Sequence, residues 1–164
     1  PRSSSAASDV YKRQILESSI IKIRISNIND IKEISDIENL TNPNPWTIEQ
    51  IRSSFEMGHS SYICFEDNEI AGFIIYLVVD TEIHLLNIAI KPVFQNMGYG
   101  TLMLDFLKKQ AMVLGISLIY LEVRVSNINA ISFYKKHGFK SDAIRNNYYS
   151  KPFEEDALLM SLKI

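Results

Sequence analysis

The protein has 164 residues, of which 46% are hydrophobic and 22% are charged, and its formal net charge is -2 at pH 7. This length and composition predict a globular protein with one hydrophobic core, while the nearly neutral charge gives no electrostatic case for binding nucleic acid or an anionic membrane. The single cysteine, Cys64, excludes an internal disulfide and a multi-cysteine zinc site, and no apolar run approaches the ~18 residues of a spanning helix.

The beginning of the chain differs from the remainder. The first fourteen residues are small and polar and show no periodicity, so we expect residues 1–15 to be a disordered or vector-derived leader. Residues 16–164 are then expected to form a single domain. Within it, residues 20–25 (I-I-K-I-R-I) alternate as in a half-buried strand.

Two helices are predicted next. Isoleucines recur at near-helical spacing from Ile28 to Leu40, with Asn27 available as an N-cap. The sequence N-P-N-P-W (42–46) ends this helix, because a proline restricts the residue before it. T-I-E-Q (47–50) has the pattern of a capping box and therefore begins a second helix.

The middle of the chain predicts three strands and a helix. Segments 61–67 and 70–80 form a β-hairpin, and 82–90 is a further strand, too apolar at its end to lie at a sheet edge. Residues 100–114 predict a helix that ends at Gly115. We expect four residues on its apolar face, Leu104, Leu107, Ala111 and Leu114, with Lys108 and Lys109 opposite them.

The remaining segments complete a mixed fold. Residues 116–123 predict a strand, 127–137 a helix closed by Gly138, and segments 139–146 and 156–163 two last strands. The predicted order is βααβββαβαββ, so we expect an α+β fold with a mixed, largely antiparallel central sheet and helices on both faces.

The loop Q-N-M-G-Y-G-T (95–101) places two glycines between an apolar strand and a helix. The first N–H groups of a helix have no internal partner and favour an anion, and glycines let the backbone approach it closely. The loop is therefore either a pyrophosphate cradle or a tight turn that uses glycine for steric reasons. It matches neither the nucleotide P-loop nor the dinucleotide-binding fingerprint.

Downstream sequence gives the loop a context. The stretches that follow, L-E-V-R-V-S-N-I-N-A-I-S-F-Y-K-K-H-G-F (121–139) and I-R-N-N-Y-Y (144–149), together with N-P-W-T (44–47) and E-E-D-A-L-L-M-S-L (154–162), resemble the GNAT acetyltransferase superfamily. The resemblance is strongest to the bacterial ribosomal-protein alanine N-acetyltransferases, the RimI group, and it spans nearly the whole chain after about residue 20. It implies an acetyl-CoA-dependent enzyme of the GNAT fold that needs no metal.

The resemblance also implies which residues contact acetyl-CoA. The backbone of Ile88, Ala89 and Ile90 would face the pantetheine arm and the acetyl group, and Asn127 would contact the same arm. The pyrophosphate would be held by Asn96, Met97, Gly98, Tyr99, Gly100 and Thr101. Members of this family often carry a basic residue within this loop, whereas this chain has Asn96 and Met97 there.

Two residues match the catalytic positions of the family. Glu122 corresponds to the general base, acting through water, and Tyr134 corresponds to the general acid beside the departing thiolate. Acetyl transfer to an amine requires a neutral amine, a hydrogen-bond donor for the oxyanion and a proton for the thiolate. A glutamate at a strand end and a tyrosine in a helix are otherwise ordinary surface and core residues.

The acceptor side is less definite. By the resemblance, Tyr148 and Tyr149 line a peptide groove, although Tyr149 is equally explained as a half-buried strand residue. Trp46 is a further candidate for substrate contact, but an anchor for the proline-rich turn is the preferred interpretation. Cys64 is interpreted as core packing and Ser126 as a turn or capping residue. His59, His84 and His137 lack the spacing of metal ligands.

We therefore expect a cytoplasmic Nα-acetyltransferase that acts on the N-terminal amine of an alanine in a ribosomal protein, by direct transfer in a ternary complex. No contact with nucleic acid or membrane is expected. Two alternatives remain open: an N-acetyltransferase of a small amine such as a polyamine or an antibiotic, and a CoA-binding module without turnover. The products formed with peptide and small-amine acceptors distinguish these hypotheses.

Overall fold

The computed structural model describes residues 20–164, so the predicted leader (1–15) lies outside the described residues. These residues form seven strands and four α-helices in the predicted order. The strands are β1 (Ile21–Ile25), β2 (Ser60–Glu66), β3 (Glu69–Val79), β4 (Glu82–Ile90), β5 (Leu118–Arg124), β6 (Lys140–Tyr149) and β7 (Glu155–Lys163). The helices are α1 (Ile31–Thr41), α2 (Ile48–Glu56), α3 (Tyr99–Val113) and α4 (Ile128–Lys136).

The strands form one sheet in the order β1-β2-β3-β4-β5-β7-β6. The central pair β4–β5 is parallel, and its crossover connection contains α3, whereas all the other neighbouring strands run antiparallel. The predicted α+β class, with a mixed and largely antiparallel sheet, is confirmed. None of the helices within residues 20–164 is long and apolar enough to span a bilayer.

Two hydrophobic clusters cover the two faces of the sheet. The larger cluster joins α3 and α4 to one face and includes Leu85, Leu104, Leu121 and Tyr134. The smaller cluster joins α1 and α2 to the opposite face through residues such as Phe73. Side chains of successive strand residues alternate between these faces, so one strand contributes to both clusters.

Local capping chemistry sets the helix boundaries as the sequence predicts. The Asn27 side chain caps a 3-10 turn (Ile28–Asp30) that leads directly into α1. Thr47 and Gln50 form a reciprocal capping box at the start of α2. Gly115 and Gly138 have positive φ angles of 68° and 95° after α3 and α4, which is the conformation expected of glycine at a helix end.

Two predictions about burial are wrong. Leu114 does not belong to the apolar face of α3, because it is the C-cap residue and 53% of its surface is exposed. Met103 is fully buried on that face instead. Within residues 20–164, β1 pairs only with β2 and lies at a sheet edge, so Ile21 and Ile25 are exposed, while Ile23 between them is partly buried against the larger cluster.

Candidate active site

The centre of the candidate site is a gap between β4 and β5. Their pairing ends at Leu85 and Leu121, although β4 continues to Ile90 and β5 to Arg124. The β3–β4 ladder passes from Tyr76–Leu85 to Ile75–Asn87, which leaves Leu86 as an extra residue in β4. Such a bulge bends and twists the strand that contains it. It lies where the two strands part, so the last five residues of β4 have an open edge.

Backbone groups along this edge alternate in direction. The Lys91 N–H donates to the Ala71 carbonyl in β3 (2.8 Å), whereas the Gln95 side chain donates to the Ile90 carbonyl (2.9 Å). By this alternation, Ile88 and Ile90 direct their backbone groups toward the gap, and Ala89 directs its groups toward β3. Of the three residues predicted to face acetyl-CoA, two therefore offer backbone donors to the gap.

Gly72 maintains the close approach of β3 to this part of β4. A Cβ atom at position 72 would lie 2.6 Å from the Ala89 carbonyl oxygen and 2.5 Å from the Ile90 side chain. Any larger residue would displace the strand that forms the open edge. The position of that edge therefore depends on a glycine in the neighbouring strand.

The predicted glycine loop leads from this edge into α3. Asn96 and Gly98 both have positive φ angles, 59° and 91°, and Gly98 is the N-cap residue without a side-chain cap. The first helical bond runs from the Leu102 N–H to the Gly98 carbonyl (3.0 Å). The N–H groups of residues 99–101 thus precede the first helical bond, as an anion site at a helix N-terminus requires.

Neighbouring side chains fix the start of α3. The buried Tyr99 hydroxyl donates to Glu66 (2.6 Å), and burial together with this contact raises the pKa of the phenol. The Thr101 hydroxyl lies 3.0 Å from His137 Nε2, and His137 Nδ1 lies 2.8 Å from the Phe133 carbonyl. A carbonyl oxygen only accepts, so Nδ1 carries a proton and the α4 terminus is tied to the first turn of α3.

Glu122 and Tyr134 approach the gap from opposite faces of the sheet. Leu121 and Val123 belong to the cluster beneath α3 and α4, so the side chain of Glu122 between them points to the other face. Tyr134 is buried on the α4 side against Phe133 and Phe139, and burial raises the pKa of its phenol. The two candidate catalytic groups therefore flank the gap.

An arginine and a tyrosine from β6 contact Glu122. Arg145 Nη1 donates to Glu122 Oε1 at 2.7 Å, and the Arg145 guanidinium lies 5.0 Å from the centre of the Tyr148 ring. Interaction with the Glu122 carboxylate raises the pKa of the Tyr148 phenol. The structure thus brings Tyr148 to the candidate base, as the groove prediction requires.

A second group of an arginine, a glutamate and a tyrosine lies beside the group formed by Arg145, Glu122 and Tyr148. Arg124 pairs with the buried carboxylate of Glu155 (3.0 Å) and lies 4.1 Å from the centre of the Tyr149 ring. Glu155 also accepts from the Ser126 N–H (2.8 Å). Burial, with the nearby negative charge of Glu122, raises the pKa of Tyr149 to about 12. Tyr149 is thus both a half-buried strand residue and a neighbour of Glu122.

Other predicted site residues have local structural roles. Asn127 caps α4 by accepting from the Ala130 N–H (3.2 Å) and is exposed where that helix begins. Trp46 packs against the cluster beneath α1 and α2. Its backbone N–H donates to the fully buried carboxylate of Glu38 (3.1 Å), so the anchoring interpretation of Trp46 is supported.

The alternative nucleophile and metal ligands find no support. Cys64 is fully buried in the larger cluster, and burial raises the pKa of its thiol to about 12. Ser126 lies in the turn before α4. His59 contacts Ser54, and His84 packs beside Tyr120. Within residues 20–164 no three His, Cys, Asp or Glu side chains are grouped as potential metal ligands.

Sequence reasoning missed three contributors to the site: Arg145, Gln95 and the bulge at Leu86. Arg145 lies in a stretch that carries the family resemblance. Its positive charge, opposite in sign to that of Glu122, was the signal that could have identified it. Glu122 and Arg145 are 23 residues apart in sequence, so their pairing could be predicted only if the strand register were known. Gln95 opened the glycine loop, but its donation to Ile90 depends on the fold of that loop.

Comparison with known proteins agrees with this architecture. The sequence model of the acetyltransferase (GNAT) family matches residues 31–139. The [ribosomal protein bS18]-alanine N-acetyltransferase of Haemophilus influenzae is 36% identical over 134 residues, covering 80% of this chain and 91% of that protein.

Two solved structures have closely similar folds. The crystal structure of the ribosomal-protein-S18-alanine N-acetyltransferase from Escherichia coli matches with a TM-score of 0.82 and 32% identity, covering 88% of this chain and 94% of that one. The structure of Ard1 from Thermoplasma volcanium matches with a TM-score of 0.82 and 27% identity, covering 88% and 97%.

Proposed function

The chain belongs to the acetyltransferase (GNAT) family and is an acetyl-CoA-dependent N-acetyltransferase, and we propose that its acceptor is the N-terminal α-amine of a ribosomal protein. The observation that carries the proposal is the gap between β4 and β5, which has open backbone donors along one edge and Glu122 and Tyr134 on opposite faces. The relatives from Haemophilus influenzae and Escherichia coli, which are alanine N-acetyltransferases of ribosomal protein S18, support an N-terminal alanine as the acceptor.

Acetyl-CoA would lie along the open edge of β4. The N–H groups at the start of α3 would hold its pyrophosphate, and the backbone donors of Ile88 and Ile90 face the space where the thioester would lie. A backbone N–H positioned where negative charge develops is the usual means of stabilising an acyl-transfer oxyanion. In this arrangement Asn96 and Met97 contribute backbone groups to the site, because neither side chain carries a charge.

Glu122 and Tyr134 would then carry out the two proton transfers. Glu122 accepts a proton from the acceptor ammonium through water, and Tyr134 donates a proton to the CoA thiolate as the C–S bond breaks. Burial keeps the Tyr134 phenol protonated at working pH, because it raises the pKa of that group. The opposite faces on which the two groups lie allow amine and thioester to meet within the gap in one ternary complex.

The choice of an α-amine follows from proton affinity. An α-amino group has a reference pKa of about 7.7–8.0, against about 10.4 for a lysine side chain. At neutral pH the lysine therefore costs roughly 3.4 kcal/mol more to deprotonate. A single carboxylate at the gap is better matched to the α-amine, and Tyr148 and Tyr149 would border the backbone of the incoming peptide.

We propose further that residues 16–164 form one acetyltransferase domain that acts in the cytoplasm. The family match, residues 31–139, and the single sheet to which all the described strands contribute support one domain.

A mass-spectrometric competition assay tests the proposed acceptor. Purified protein and acetyl-CoA are incubated with peptides of different N-termini, peptides with a blocked N-terminus and an internal lysine, and free polyamines. We expect one acetyl group on the α-amine of peptides that begin with alanine. Acetylated polyamine with unchanged peptides would favour the small-amine enzyme instead. Binding of acetyl-CoA without any product would favour the non-catalytic alternative.

A further inference from the structure

In the free protein, the proposed general base is already engaged by a cation. Arg145 Nη1 lies 2.7 Å from Glu122 Oε1. An acceptor amine arrives at neutral pH largely as an ammonium ion, and it needs the carboxylate that Arg145 occupies. In the free protein, Arg145 therefore already occupies one oxygen of this carboxylate.

The neighbouring arginine pair shows what a structural ion pair looks like in this fold. The side chains of Arg124 and Glu155 are only 12% and 6% exposed, and both make further contacts with the backbone, to the Lys151 carbonyl and the Ser126 N–H. Burial and these backbone contacts hold both side chains of this pair in place.

The Arg145–Glu122 pair is different. Its side chains are 52% and 30% exposed, and Arg145 lies on β6, the strand at the edge of the sheet. Exposed ion pairs contribute little to stability, because water screens the charges and the long side chains lose freedom. Arg145 can therefore leave Glu122 at small cost.

We propose that Arg145 is a positioning residue that occupies the place of the acceptor's ammonium on Glu122 and is displaced when the acceptor binds. This inference rests on the proposed function. Both cations are attracted to the same carboxylate, Arg145 directly and the acceptor ammonium through the bridging water, and two positive charges close to one carboxylate repel each other.

The test separates the ammonium from the remainder of the acceptor. An alanine-initiated peptide and the same peptide with an acetylated N-terminus are titrated calorimetrically into the protein saturated with CoA. For Arg145→Gln we expect the Kd of the free peptide to fall by roughly two- to fivefold, the range set by an exposed ion pair. The Kd of the blocked peptide should stay unchanged, and Arg145→Lys should return the free peptide to wild-type affinity.

Steady-state kinetics give a second reading of the same variants. Arg145→Gln should lower the KM for the free peptide by a similar factor and leave the KM for acetyl-CoA unaltered. Lys22→Gln is the matched control, because it removes the same charge from an exposed position on β1, at the opposite edge of the sheet. This control should behave as wild type.

The possible results are distinct. A rise in Kd for both peptides would mean that Arg145 binds the acceptor directly, and equal affinities in wild type and Arg145→Gln would make it a bystander; either overturns the inference. Full activity of Glu122→Gln would instead refute the proposed base. If only small amines are acetylated, the proposed acceptor fails, and the displacement is measured with the small amine, since it concerns the ammonium group.

Discussion

The two glycines of the loop have different structural requirements, and this difference yields a sharp prediction. Gly98 has a φ of 91°, and a Cβ atom there would meet nothing within 4 Å. A side chain in this left-handed region costs about 1–2 kcal/mol, which the loop can relieve only by turning its N–H groups. Each charge-assisted hydrogen bond to phosphate that is lost weakens binding by about 1.5–3 kcal/mol.

We therefore expect Gly98→Ala to raise the Kd for CoA by at least about tenfold, since loss of one such bond suffices for this change. Gly115→Ala is the matched control: its φ is 68°, its Cβ would also meet nothing, and it lies at the far end of α3. Both variants should lose roughly 1 kcal/mol of unfolding free energy, but only Gly98→Ala should lose affinity.

Calorimetry with CoA and with pantetheine, which lacks the pyrophosphate, identifies the group that is affected. The loss in Gly98→Ala should be confined to CoA. In Gly100→Ala the added Cβ points inward, 3.4 Å from the Phe133 ring, so we expect a smaller loss than at Gly98. Equal CoA affinity in wild type and Gly98→Ala would refute the assignment of this loop to the pyrophosphate.

Four further predictions concern single groups. Tyr134→Phe should reduce kcat by about 10²–10⁴, and the wild-type rate measured up to pH 10 should not fall through ionisation of Tyr134, whose pKa burial raises. Glu122→Gln should lower kcat most at the acid end of a pH 6–9 profile, where more of the amine is protonated; an unchanged profile would refute the base. Glu38→Ala should remove about 2–4 kcal/mol of unfolding free energy, followed by the fluorescence of the single tryptophan, because two donors lose a buried acceptor; a loss below about 1 kcal/mol would contradict this. Arg24 lowers the pKa of Asp30 through their hydrogen bonds, so its contribution to stability is fully present above the reference aspartate pKa of about 3.9 and is lost as the pH falls through the lower folded-state pKa. In urea unfolding, Arg24→Gln should cost about 0.5–1 kcal/mol at pH 7, and the difference from wild type should shrink as the pH falls through that folded-state pKa.

Signals that operate over a few residues predicted this fold well. A capping box needs only Thr47 and Gln50, three residues apart, and a helix stop needs only one glycine such as Gly115. These elements follow from chain geometry and local hydrogen bonding, which the sequence contains directly. The order of strands and helices could be derived for the same reason.

Burial was harder to predict, because it depends on the partner of an element rather than on its own pattern. Ile21 and Ile25 alternate as in a half-buried strand, yet β1 lies at a sheet edge and both are exposed. Leu114 continues the apolar spacing of α3 but lies past its last turn. In each case periodicity gave the correct secondary structure and the wrong environment.

The candidate site depends most on the feature that was hardest to predict. Leu86 is the single extra residue in β4, and its neighbours L-L-N-I-A-I contain no glycine or proline to announce a bulge. Without the extra residue, every side chain from 87 to 90 would change face and the backbone groups of Ile88 and Ile90 would point to β3. The bulge at Leu86 lies where β4 separates from β5, and it also directs the backbone donors of Ile88 and Ile90 into the gap. Glu122 and Tyr134 lie on the two faces on either side of that gap.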